Sequence, residues 1–317
     1  MPMAKCVGFS QVALCIALMA ILAACQHKSV PLPVLAASSV GDTTGLVERG
    51  EYIVRDVAVC GSCHTPDRKP DGPLVGGAEF KDWRLGKIRS ANLTSDSATG
   101  LGTWTEPEIV RAIRNGQRKD GRVLAPVMRY EWFHEMSDRD AFAVARYLKT
   151  LPAASNRVRQ SPNLMFKVAL GLFLGPMSGE AATPPQRAPT AEYGSYLAQH
   201  VALCVDCHTP TSGLQSKPDR RLRFAGQSHP PKDFTANPSN LTPDSATGIG
   251  RWTEEDFLRT MRTGENPQGR SLNDFMPWRQ MRRMSDGDLR AIYRYLKTVR
   301  PVRNQIPCRE KVPGRSC

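Results

Sequence analysis

Aromatic side chains are scarce in this chain, 7% of its 317 residues, and no run of five basic residues occurs anywhere along it. The second absence excludes a nucleic-acid-binding arm. No glycine-rich nucleotide loop is present, no Ser/His/Asp order stands out, and no motif places two carboxylates together. No catalytic residue is therefore assigned. No convincing alternation of apolar and polar residues marks a strand, so the fold is expected to be all-α. Acidic residues are also in deficit: 30 Asp and Glu stand against 43 Lys and Arg, a formal net charge of +13. A charge of that sign suits an acidic protein face or an anionic membrane surface, and its expected use is to steer docking.

What the chain does have is repetition, in a length sufficient for two ordinary domains. The stretch Cys60-Gly-Ser-Cys-His-Thr-Pro66 returns as Cys204-Val-Asp-Cys-His-Thr-Pro210. The flanks repeat too: Gly50–Cys60 matches Gly194–Cys204, Asn92–Thr105 matches Asn240–Thr253, and Arg146–Thr150 matches Arg294–Thr298. Two homologous domains are expected, at 46–152 and 190–302, with a tail at 303–317. Between them, residues 153–189 combine a Pro-rich linker with an apolar segment, Asn163–Pro176. That segment is interrupted by Lys167 and too short to span a bilayer. It is expected to be a buried or interfacial helix that packs the two domains together.

Each copy reads as short helices joined by long loops. Thr105-Glu-Pro-Glu108 and Thr253-Glu-Glu-Asp256 are capping-box starts, with Gly116 and Gly264 as stops. Ser137 and Ser285 cap a last helix in each copy, ended by Pro152 and Pro301.

Residues 1–25 are expected to be removed as a secretory signal: a basic start, an apolar core, then Leu22-Ala-Ala-Cys25. That ending resembles a bacterial lipobox, which makes Cys25 the expected lipid anchor and the periplasmic side of a bacterial membrane the expected location. Of the 9 Cys, four belong to the two motifs, and Cys308 and Cys317 are close enough in sequence to be paired in an oxidising compartment.

Three chemistries use CxxC. A zinc site would need four ligands and would leave the two His and the downstream repeats unexplained. A redox dithiol has no need of His directly after the second Cys. Covalent haem attachment uses all three residues: Cys60 and Cys63, like Cys204 and Cys207, add across vinyl groups as thioethers, and His64 or His208 reaches the iron. Two haem c groups are expected. For the sixth ligand the first copy offers Met128, Met136 and His134, and the second offers Met276, Met281 and Met284. His134 and Met281 have no counterpart in the other copy, and Met136 and Met284 lie where a residue staples a helix. Met128 and Met276, on loops, are the expected axial ligands.

The order CxxCHTP, NLTxDSATGxGxWT, loop Met, MSDxD and RYLKT resembles class I cytochrome c domains. More narrowly, from about residue 46 to 302, it resembles the multi-haem cytochrome c subunits of periplasmic membrane-bound alcohol, gluconate and related dehydrogenases. The resemblance implies tandem domains, each wrapping one haem, with Gly50 against Tyr147 and Gly194 against Tyr295 where first and last helices cross. It puts Asn92, Trp104, Asn240 and Trp252 in the haem environment. Two features depart from the family: two motifs stand where three are common, and Arg129 follows Met128 where Pro is usual, as at Pro277. With both axial positions filled, the expected function is transfer of single electrons from a periplasmic dehydrogenase to a respiratory-chain acceptor, with no enzyme activity of its own. The alternatives are a haem enzyme with one open distal site, of di-haem peroxidase or thiosulfate-oxidising type, and a tethered electron-storage or assembly protein.

Overall fold

The computed structural model describes residues 44–82, 86–163, 175–179, 183–212, 217–228 and 237–307. The signal segment with Cys25, the pair Cys308 and Cys317, and most of the apolar interdomain segment lie outside the described residues. Among the described residues no helix is long and apolar enough to cross a membrane.

The chain is helix-rich, and the two repeats build the same sequence of helices. In the first, α1 (Leu46–Tyr52) runs into a π turn at Ile53–Val57, followed by α2 (Gly61–His64), α3 (Glu106–Asn115), α4 (Tyr130–Phe133) and α5 (Asp138–Thr150). In the second, α6 (Ala191–Tyr196) with its π turn at Leu197–Val201 leads to α7 (Cys204–His208), α8 (Glu254–Thr263), α9 (Trp278–Met281) and α10 (Asp286–Leu296). Both predicted capping boxes form: the Thr105 and Thr253 hydroxyls accept from the third-residue backbone N–H, and Glu108 and Asp256 accept in return. Gly116 and Gly264 end these helices at φ of 67° and 74°, in the left-handed region that suits glycine.

The expectation of an all-α fold needs correction. Glu79–Asp82 (β1), Gly86–Arg89 (β2) and Ser161–Pro162 (β3) form a small antiparallel sheet, with Phe80 opposite Ile88, and Thr211–Ser212 (β4) pairs with Lys217–Pro218 (β5). Strands of two to four residues are too short to print a two-residue period on the sequence.

First and last helices of each repeat cross where a glycine removes the side chain. A Cβ built on Gly50 would lie 2.0 Å from the Ala143 carbonyl oxygen and 2.7 Å from Tyr147 Cβ. One on Gly194 would lie 1.8 Å from the Ala291 oxygen, so there the nearest neighbours are Ala291 and Ile292 rather than Tyr295.

The repeats meet through a reciprocal contact. Tyr52 of the first donates to Asp288 (2.8 Å) and accepts from the Ser285 N–H (2.9 Å) at the start of α10. Its counterpart Tyr196 donates to Asp140 (2.8 Å) and accepts from the Ser137 N–H (3.1 Å) at the start of α5. Between these pairs Arg49 binds both oxygens of Asp140, at 2.8 and 2.9 Å, and contacts the hydroxyl of its counterpart Tyr193 at 3.3 Å. A single buried cluster runs through both repeats, from Ile53, Val57 and Phe142 to Leu197, Val201 and Leu289.

Candidate functional site

The turn into each CxxCH is set by one residue in the left-handed region, Val59 at φ 45° and Leu203 at φ 53°. The chain then makes a single helical turn; in the first repeat His64 N–H donates to the Cys60 carbonyl at 2.9 Å. Residues four apart on a helix share a face, so Cys60 and His64 present together, with Cys63 beside them. All six motif side chains line one cavity of about 3180 Å³ that extends through both repeats. Single-ligand pockets run to ~300–1,000 Å³, so this space is ample for more than one large planar group.

The two imidazoles are oriented identically. His64 Nδ1 bonds the Ala91 carbonyl at 2.8 Å, and His208 Nδ1 bonds the Ser239 carbonyl at 2.7 Å. A carbonyl only accepts, so Nδ1 carries the proton and Nε2 keeps a free lone pair, the arrangement of a metal-binding histidine. Burial lowers both imidazole pKa values, against the opposing carbonyl bond, and favours the neutral ring.

The thiols are poorly suited to dithiol chemistry. Burial pushes Cys60 up to about 12, with Cys63 adding and Arg55 opposing, and pushes Cys204 up to about 12. Cys207 also moves upward, first through burial and then through Asp206. Redox exchange needs the thiolate, and these groups stay protonated near neutrality. Nor do the motifs converge into a zinc site: among the described residues no three His, Cys, Asp or Glu side chains gather to hold a metal ion.

Met128 sits at the end of a 3₁₀ turn, Pro126–Met128, and Met276 on the loop before α9. Both are partly buried and line the cavity. Met136 and Met284 line the same cavity but are 1% and 2% exposed, packed into the core at the helix starts as stapling residues are. His134 turns away, its Nδ1 bonded to the Arg114 carbonyl at 3.1 Å. Met281 is buried at the end of α9.

Trp104 and Trp252 line the cavity and pack against the core. Asn92 and Asn240 also line it, but their amides are spent within the protein. Asn92 donates to Thr99 and to the Ala154 carbonyl and accepts from Thr94 twice. Asn240 does the same with Thr247, Val302 and Thr242. Each asparagine thus fastens the repeated NLTxDSATG loop to the chain beyond the last helix. The lysine of RYLKT completes the fastening: Lys149 and Lys297 donate to the Gly102 and Gly250 carbonyls at 2.7 Å.

The sequence reading missed a contact between the two sites. Arg129 Nε lies 3.2 Å from Asp206, and Trp132 Nε1 donates to the same carboxylate at 3.1 Å. Asp206 occupies a variable position of the second CxxCH, so its role depends on tertiary placement alone.

No family model matches the chain. It is similar to the gluconate 2-dehydrogenase cytochrome c subunit of Pantoea cypripedii, 32% identical over 268 residues, covering 80% of this chain and 59% of that one. It is also similar to the alcohol dehydrogenase (quinone) cytochrome c subunit of Gluconacetobacter polyoxogenes, 30% identical over 287 residues, covering 84% and 60%. A diheme cytochrome c-type protein of Cereibacter sphaeroides is 29% identical over 267 residues, covering 81% of this chain and 86% of that protein. The chain thus spans 59% and 60% of the two dehydrogenase subunits, and most of the diheme protein.

Proposed function

We propose that this relative of dehydrogenase cytochrome c subunits is a di-haem c-type cytochrome that carries single electrons away from a dehydrogenase. The observation that carries the reading is the matched pair of buried histidines. Each follows a CxxC in one turn of helix, is fixed through Nδ1 to a backbone carbonyl, and shares a cavity with a loop methionine. A haem held there supplies a one-electron iron couple. Cys60 and Cys63, and Cys204 and Cys207, would hold the two groups as thioethers. His64 and His208 would be the proximal ligands and Met128 and Met276 the distal ones, in two tandem class I domains at 46–152 and 190–302. Trp104 and Trp252 contribute apolar wall, and the asparagine-fastened loops keep that wall in place.

Two ligands from the chain at each iron would leave substrate no place there, and the protein acts as a carrier rather than an enzyme. The donor is a periplasmic dehydrogenase and the acceptor a component of the respiratory chain. The surplus of basic residues steers docking on an acidic face, and a lipid on Cys25 holds the protein at the membrane.

The test is magnetic circular dichroism of the oxidised, matured protein, with haem counted by mass. Two haems and two equivalents of the Met–iron charge-transfer band are expected, with Met276→Ala removing one equivalent and Met128→Ala the other. A high-spin iron in the resting protein would overturn the carrier reading and make that repeat a catalytic site. Copurification of a dehydrogenase that reduces the haems is expected; failure of any such enzyme to reduce them would overturn the assigned donor.

A further inference from the structure

The loop that carries Met128 is held from outside its own repeat. Arg129 directly follows that methionine and has φ 57°, a region few non-glycine residues occupy unless their surroundings hold them there. Its guanidinium reaches the second repeat and pairs with Asp206 at 3.2 Å. Trp132, at the other end of the same short segment, donates to Asp206 Oδ1 at 3.1 Å. Two donors within four residues of Met128 therefore grip one carboxylate, which is 17% exposed and lies between Cys204 and Cys207. Arg129 is also within electrostatic reach of both Cys207 and Cys63, so the grip lies where the two attachment turns approach each other.

The reverse contact is built differently. Pro277 replaces Arg129 in the second repeat, and Ser62, at the place of Asp206, has a buried hydroxyl without a hydrogen-bond partner. Gln280, at the place of Trp132, donates instead to Asp71 at 2.7 Å, beyond the first CxxCH. The departure from the family pattern at residue 129 and the acidic residue in the second motif thus account for each other.

We infer that Arg129 and Trp132 are positioning residues, and that their grip on Asp206 holds the Met128 loop so that ligation in the first repeat depends on the attachment turn of the second. The inference rests on the reading of Met128 as an axial ligand. Its consequence is that disturbing Asp206 is felt at the first iron, while ligation by Met276, whose loop is held through Gln280 and Asp71 instead, is untouched.

The experiment uses the full, matured chain with Arg129→Glu, Asp206→Arg and the two combined. Haem mass verifies attachment, and the Met–iron band and the reduction potential are read for each haem. Each single variant is expected to lose one of the two band equivalents and to lower one potential. The combined variant, which restores an opposite-charge pair but leaves Trp132 without its acceptor, is expected to regain the band and the potential in part. Single variants that keep both equivalents and both potentials overturn the strap while leaving the ligation reading intact. A Met128→Ala substitution that changes no band in the otherwise native chain overturns the ligation reading and the strap with it. If a charge reversal prevents maturation, Arg129→Gln, which removes the ion pair alone, is expected to lower the band at the first haem, and an unchanged band overturns the inference.

Discussion

A methyl group on Gly50 or Gly194 has nowhere to go, because its carbon would fall 2.0 or 1.8 Å from a backbone carbonyl oxygen of the facing helix. Backbone does not rotate aside as a side chain does, so Gly50→Ala must push α1 off α5. Overpacking of this kind costs about 1–3 kcal/mol, and chemical denaturation is expected to find a loss at or above that range for either substitution. A change below ~0.5 kcal/mol, the scatter of an ordinary surface site, would mean that the helices pack less closely than described. The glycines were legible in the sequence because the repeat marked them twice, but the aromatic partner held only for Gly50 with Tyr147; Gly194 faces Ala291 and Ile292 instead of Tyr295. The CxxCH residues were legible for a stronger reason: two thiols and an imidazole within one helical turn is a chemical requirement that local sequence meets by itself. Asp206 was not, since its value depends on Arg129 and Trp132, more than seventy residues away in the chain.

Among the elements, the NLTxDSATG loops have a fixed hydrogen-bond plan that predicts a pH response. Asp96 accepts from the Thr99 hydroxyl and N–H at 2.7 and 2.6 Å, and Asp244 accepts from Thr247 in the same way at 2.7 Å each. These bonds, first among the causes, hold both carboxyls below the ordinary carboxylate value. A depressed folded-state pKa stabilises the fold above the unfolded value, and the contribution is lost as pH falls through the folded one. The native chain should therefore be more stable than Asp96→Asn with Asp244→Asn above the ordinary carboxylate range, and that advantage should vanish as pH falls below it, leaving the variant with the shallower acid slope. Identical pH profiles would remove these loops as a source of acid sensitivity. At the helix starts, Thr105→Ala and Thr253→Ala each forfeit a capping hydroxyl and should cost about 1 kcal/mol in the same denaturation assay. The caps were readable from sequence because they are local. The small sheet was not: its longest strands are four residues, and β3 joins from the far side of α5.

At the level of the whole molecule, the contact between repeats decides whether the chain unfolds as one body or two. The center of that contact is Arg49, 8% exposed and bonded to Asp140 through both carboxylate oxygens, with Asp288 at 4.0 Å. Burial opposes its charge, but the hydrogen bonds and the field of Asp140 outweigh that penalty and raise its pKa. Its counterpart is Tyr193, so a second guanidinium does not crowd the center. A related exchange occurs at the edge: Asp56 pairs with Arg283 at 2.6 Å, whereas at their counterparts the acid is Glu135, 3.3 Å from His200. The first repeat set against a second copy of itself would face Asp56 with Glu135, two carboxylates. The exchange therefore favours the first repeat against the second over the first against itself. Arg49→Met leaves the buried Asp140 and Asp288 carboxylates to the Tyr196 and Tyr52 hydroxyls. Removing one partner from a buried pair costs about 3–5 kcal/mol, and the loss falls on the surface that joins the repeats. The expected result in urea is a single transition for the native chain that separates into two for Arg49→Met, read by far-ultraviolet circular dichroism together with Trp fluorescence. A variant that still unfolds in one step, at an unchanged midpoint, would show that the shared core from Ile53 to Leu289 couples the repeats without the arginine.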